Sequence, residues 1–183
     1  MKTFKHVMLD LETMSTGDDA VLTGIGAVEF NIETGERGRE FYEKVDIQSC
    51  LDLGMTVDGS TIYWWLEQSE AARMELIRDR KSIQQVLFKM SHWFAACHPN
   101  FQIWGNGKSF DLPKLRTAFT KVSQSTPWHY YNERDVRTMV MLRPGVKDSI
   151  PFKGIKHHAI SDCRYQIDLV CEIWEVMQSN ATV

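Results

Sequence analysis

Asp10 and Glu12 lie two residues apart in "HVMLDLETMST", a stretch that otherwise reads as the apolar first strand of a domain. Side chains alternate along a strand, so both carboxylates leave on one face while Val7, Leu9 and Leu11 leave on the other. Two like charges at that spacing beside a core repel each other and raise their own pKa values unless a cation is shared between them. Asp111 stands at a loop-to-helix junction in "GNGKSFDLPKL", a position that an ordinary helix cap would also occupy. Asp162 follows His157 by five residues in "HHAISD". Five positions on an α-helix are displaced by roughly 140°, so His157 is expected on the loop before the helix that carries Asp162, with both reaching into one cleft. Asp10, Glu12, Asp111 and Asp162 are thus four hard oxygen donors from three separated segments, with no set of soft ligands beside them. Such donors suit Mg²⁺ or Mn²⁺, which keep waters for exchange with phosphate oxygens. His157 adds a side chain that titrates near neutral pH.

The elements that must position these residues follow from the hydrophobic pattern. "AVLTGIGAVEFN" (20–31) and "GREFYEKVD" (38–46) are β-rich runs joined by "IETGERG", whose glycines suit a hairpin, so three antiparallel strands open the chain. Gly24 and Gly26 form a lone GxG inside a strand pattern, without the third glycine of a dinucleotide site. "DGSTIYWWLEQS" predicts a helix opening after Ser60 or Thr61, with Ile62, Trp65 and Leu66 at helical spacing. "SIQQVLFKMSHWFAAC" repeats the signal with Ile83, Val86, Leu87, Met90, Trp93 and Phe94 on one stripe. A short strand over residues 101–104, a glycine-bracketed loop and a helix from about Leu112 follow, with Pro113 in the first turn. "ERDVRTMVML" predicts a further helix, and "AISDCRYQIDLVCEIWEVM" sets Ile160, Cys163, Ile167, Val170, Cys171, Trp174 and Met177 on one apolar face. A three-strand meander followed by alternating helices and strands points to an α/β layer fold with a mixed sheet.

With 183 residues, 43% of them hydrophobic, and no linker-like tract, the chain is expected to form a single domain over residues 1–183. No apolar run approaches membrane-spanning length and the N-terminus lacks a signal-like segment, so a soluble cytoplasmic protein without membrane contact is expected. Cys50, Cys97, Cys163 and Cys171 form no CxxC pair or zinc spacing, as suits reduced thiols. The net charge of -3 excludes a protein that holds nucleic acid through a broad basic field, but not an enzyme that grips a short stretch of phosphates. "RDRK" (78–81) reads as a solvated helix end. Arg143, Lys147, Lys153 and Lys156, opposed only by Asp148, gather in a Pro- and Gly-containing segment leading into His157, where phosphate contacts are expected. With no GxSxG and no Cys near a His in a telling context, a serine or cysteine hydrolase is poorly supported.

In order and separation, "LDLETM" (9–14), "GNGKSFDLPKL" (105–115) and "HHAISD" (157–162) resemble the three motifs of the DEDDh branch of the DnaQ-like 3′-to-5′ exonucleases. "TIYWWLEQS" (61–69) resembles the tryptophan-pair segment of a subgroup that includes phage-type exonucleases and small bacterial exoribonucleases. The resemblance spans nearly the whole chain and implies a ribonuclease H-like mixed β-sheet flanked by helices. It further implies that Asp10, Glu12, Asp111 and Asp162 hold two divalent cations, Mg²⁺ or Mn²⁺, with Asp10 bridging them. The HxAxxD register selects His157, rather than His158, as general base. Thr13 and Met14 are expected to border the terminal nucleotide through backbone groups, Asn106 to lie near the site, and Lys153 and Lys156 to meet phosphates. Met14 and Ser15 depart from the small residue and glycine that many members carry after the threonine. The implied substrate is the 3′ end of single-stranded nucleic acid, DNA ahead of RNA, and a homodimer is plausible from the family alone. Trp64 or Trp65 is a candidate for stacking on a base, with helical spacing making at least one of them core. The competing readings are a ribonuclease H-like endonuclease or strand-transfer enzyme, and a nucleic-acid-binding scaffold without chemistry.

Overall fold

Strict alternation places β1 (His6–Thr13) at the centre of the sheet, with Val7, Leu9 and Leu11 buried on one face and Met8 on the other, in line with Asp10 and Glu12. The structure is a computed structural model that describes residues 4–107 and 109–181. β2 (Leu22–Phe30) pairs antiparallel with β1, and β3 (Arg37–Lys44) pairs antiparallel with β2. On the other side of β1 run β4 (Gln102–Gly105) and β5 (Glu133–Asp135), both parallel, giving the order β3-β2-β1-β4-β5.

The helices are α1 (Ile47–Leu51), α2 (Gly59–Glu67), α3 (Glu70–Glu75), α4 (Ile83–Ala95), α5 (Asp111–Lys121), α6 (Val136–Leu142), α7 (Val146–Ser149) and α8 (Ala159–Ala181). Most pack into one of two cores on the faces of the sheet, while Val146 of α7 joins Leu169 and Ile173 of α8 in a smaller cluster. Val7, Leu9 and Leu11 meet Val86, Leu87 and Met90 of α4 and Leu112 and Leu115 of α5 on one face. Met8, Val28 and Phe30 meet Ile160, Cys163, Ile167 and Val170 of α8 on the other. The mixed, helix-flanked sheet expected from the sequence is the observed one. α4 opens with a reciprocal capping box between Ser82 and Gln85. No helix among the described residues is long and apolar enough to cross a membrane, and the four cysteines are unpaired.

Three expectations need correction. Glu133–Asp135 is an edge strand and not the start of a helix, because Asp135 caps α6 by accepting from the amides of Arg137 and Thr138. On α2 only Trp65 is buried; Ile62 and Leu66 lie in solvent, since this short helix touches the core along one line. Met177 is exposed and Cys171 and Trp174 are only half-buried, because a 23-residue helix outruns strands of at most nine residues.

Candidate active site

The face of β1 that carries Met8, Asp10 and Glu12 is the face on which α8 packs, and the strand register keeps space open there. Asp10 stands opposite Gly26 and Glu12 opposite Gly24. A Cβ on Gly26 would lie 2.7 Å from the backbone carbon of Ala159, so the glycine lets the first turn of α8 descend onto β2 beside the carboxylates. A register shift between Glu12 and Thr13 then turns the chain out of the sheet, as bulges beside active sites do. Asp111, 3% exposed, opens α5 just past the end of β4 and accepts the Leu11 amide of β1 at 3.3 Å. His157 has a left-handed backbone, φ 61°, that swings the chain into α8, and the Asp162 carboxylate accepts the His158 amide at 3.2 Å. Asp10, Glu12, Asp111, Asp162 and His157 all line one cleft of about 540 Å³.

Oxygens of Asp10, Glu12 and Asp162 lie within 4.8 Å of one another, a donor set able to hold a metal ion. Burial, reinforced by the charges of Glu12, Asp111 and Asp162, pushes the Asp10 carboxyl well above its ordinary range, against the hydrogen bond from Gln166. Burial and then the charges of Asp162 and Asp111 raise Glu12 to about 8. Burial raises Asp111 to about 7, opposed first by the Leu11 amide, and raises Asp162 against the nearby His157. These shifts describe the protein without cations; a cation among the carboxylates reverses their sign.

The wall next to the acids is the turn from Thr13 to Thr16, each of whose four carbonyls accepts a hydrogen bond. Trp65 Nε1 donates to Thr13 O at 2.9 Å, the Asp58 amide to Met14 O at 2.8 Å, Thr13 Oγ1 to Ser15 O at 2.9 Å, and Lys114 Nζ to Thr16 O at 2.9 Å. Lys114 is 1% exposed and its ammonium lies 3.5 Å from the centre of the Phe110 ring, which itself lines the cleft. Trp65 is therefore the core member of the pair. Trp64 is half-exposed on the cleft wall, edge-on to His157 with ring centres 4.7 Å apart.

Thr13 and Asn106 line the cleft, whereas the Met14 side chain is packed in the core and its amide and carbonyl bind Val21 and Asp58. Lys156 lines a smaller cavity of about 140 Å³ that shares Asn106, His157, Asp162 and Gln166 with the cleft. Lys153 lies in a separate depression with Arg37, Ser161 and Arg164. His158 turns away from the cleft, its ring 4.5 Å from that of Tyr42. Two cleft residues escaped the sequence reading. Gln166 donates to Asp10 Oδ1 at 2.8 Å; its position four residues after Asp162, on the same helix face, was the available signal. Arg137 is the cation that lines the cleft among the described residues, and its guanidinium lies against Gly107, whose added Cβ would sit 3.2 Å from Cζ. No local pattern marked it.

A mixed sheet delivers a carboxylate cluster to the end of its central strand, faced by a histidine just before the last helix, and the fold is of the ribonuclease H-like class. The family model described as the 3′-5′ exoribonuclease Rv2179c-like domain matches residues 5–174. The chain belongs to that family and is a 3′-5′ exonuclease domain. It is 24% identical over 194 residues to an exodeoxyribonuclease of Enterobacteria phage T4, covering 87% of this chain and 85% of the relative. The solved structures that share its fold include the following two. Exonuclease I of E. coli in complex with a dA16 oligonucleotide superimposes with a TM-score of 0.66 at 14% identity, over 90% of this chain and 39% of that one. Pop2p of S. pombe, in a form with Mg²⁺ and Mn²⁺ bound, gives 0.65 at 12% identity, over 93% and 82%. The chain thus spans about two fifths of the exonuclease I structures it resembles, 41% of the apo form.

Proposed function

We propose that the domain removes nucleotides from the 3′ end of single-stranded DNA, releasing nucleoside 5′-monophosphates with the help of two divalent cations. The observation that carries this reading is the convergence of Asp10, Glu12 and Asp162 within 4.8 Å in a cleft that also holds Asp111 and His157. Asp10, Glu12, Asp111 and Asp162 would hold the ions, with Asp10 shared between them, and four carboxylates balance the charge of two divalent cations. When bound, such ions lower the pKa of water and offset charge developing on the phosphoryl group. His157 takes the proton from the attacking water, a role that suits an imidazole beside the carboxylates. The braced Thr13–Thr16 turn and the exposed ring of Trp64 form the seat for the terminal nucleotide. Met14 supports that seat from the core. Arg137 and Lys156 meet phosphates beside the cleft, and Lys153 meets the strand farther out.

DNA as substrate is supported by the phage exodeoxyribonuclease relative and by the oligodeoxynucleotide seen with exonuclease I. The exoribonuclease description of the family favours RNA as the second reading. A time course on 5′-labelled DNA and RNA strands of one sequence, with Mg²⁺, Mn²⁺ or chelator, tests both. The expected result is a metal-dependent ladder shortening from the 3′ end, faster on DNA, and absent with folded Asp162→Asn protein. A faster RNA ladder selects the second reading. Undiminished cleavage by Asp162→Asn removes the metal-site claim.

A further inference from the structure

Gln166 has one half of its amide spoken for and the other half orphaned. The side chain is 4% exposed on α8, its Nε2 donates to Asp10 Oδ1 at 2.8 Å, and its Oε1 is buried without a partner among the described residues. A buried acceptor left unmade is costly, so folding alone does not account for an amide at this position. Asp10 supplies the other half of the argument. Asp111 is held by the Leu11 amide and Asp162 by the His158 amide, but among the described residues the Gln166 amide is the sole hydrogen-bond donor to the Asp10 carboxylate. The charges that act on it are the like ones of Glu12, Asp111 and Asp162.

We infer that Gln166 is a positioning residue for the acidic site: its N–H fixes the rotamer of Asp10, and its free Oε1 accepts from a donor that arrives with a hydrated cation or the substrate. The residue lines both the cleft and the smaller cavity behind it, so a water or hydroxyl in either can reach the amide. A fixed carboxylate beside an aimed acceptor is the support that metal-ligating groups require, and its loss weakens metal binding without touching a ligand. The inference rests on the cation-dependent reading of the site.

Calorimetric titration of Mn²⁺ into wild-type and Gln166→Met protein tests it, together with the melting temperature of each in chelator. Gln166→Leu is measured alongside, so that the result does not depend on one replacement side chain. The expected result is Mn²⁺ affinity lowered by about 10- to 100-fold in both variants, with both still folded and melting cooperatively in chelator. Equal affinity in wild type and variants overturns the inference while leaving the cation reading intact. A wild-type protein that takes up no Mn²⁺ overturns both together.

Discussion

His157 reaches the cleft through a backbone that non-glycine residues avoid, with φ at 61°. Holding that conformation costs about 1–2 kcal/mol for most side chains, which argues that the position is fixed by what the ring does. Asparagine tolerates the left-handed region and keeps a polar side chain without a titrating ring. His157→Asn is therefore expected to melt within about 2 °C of the wild type, since less than 1 kcal/mol is at stake, while turnover falls by about 10²-fold or more. Thermal melts beside initial rates across pH 6–9 check it, and a variant that keeps the wild-type rate profile removes the general-base role. The sequence carried this residue clearly, because the spacing to Asp162 forces the histidine off the helix. Gln166 was hidden for the opposite reason: an amide one turn further on reads as a neutral interruption of an apolar stripe, and only the packing of α8 on β1 gives it a partner.

At the scale of elements, alternation and the 3.6-residue stripe made the meander, α4 and α8 legible, because each buries one face against the sheet. β5 was not legible. Three charged residues carry no alternation, and what makes them a strand is pairing with Ile103, Trp104 and Gly105. Gly24 and Gly26 were visible as an oddity in a strand, yet their reason lies in register: they face Glu12 and Asp10. That pairing separates two substitutions that look alike in sequence. Gly26→Ala drives a Cβ to 2.7 Å from the backbone of Ala159, so α8 must shift and carry Asp162 with it. It is expected to lose about 1–3 kcal/mol of stability and at least 10-fold in turnover. Gly24→Ala meets the Glu12 side chain at 3.4 Å and the Tyr42 ring at 4.0 Å, no backbone atom among them, and is expected to cost less in both. Chemical denaturation and single-turnover rates on the two variants rank them, and equal effects remove the claim that Gly26 sets the approach of α8.

For the molecule as a whole, the site is a store of repulsion set between two cores. Glu12 raised to about 8, Asp111 raised to about 7, and Asp10 and Asp162 raised as well mean that the folded protein holds protons the unfolded chain has released above about pH 4. Stability from these groups is complete below that pH and is lost as the pH rises towards 8, so the metal-free domain weakens on the alkaline side. His6 works in the opposite direction at lower pH. Its burial, aided by the charges of Arg134 and Lys5, holds its pKa down to about 4, so it resists acid and masks the trend below about pH 6.5. The clean window is therefore pH 6.5–8.5, where the loss of about one bound proton amounts to a few kcal/mol and a fall of about 5 °C in melting temperature. Glu12→Gln removes one of the repelling charges and is expected to flatten the slope in chelator. Millimolar Mg²⁺ or Mn²⁺ at pH 8 is expected to reverse the loss in the wild type and to do less for the variant, because binding to the native state alone raises stability by mass action. A melting temperature that stays flat from pH 6.5 to 8.5 in chelator, and does not respond to either cation, would mean that the four acids are relaxed by something other than metal and would leave the charged end of β1 without its chemical reason.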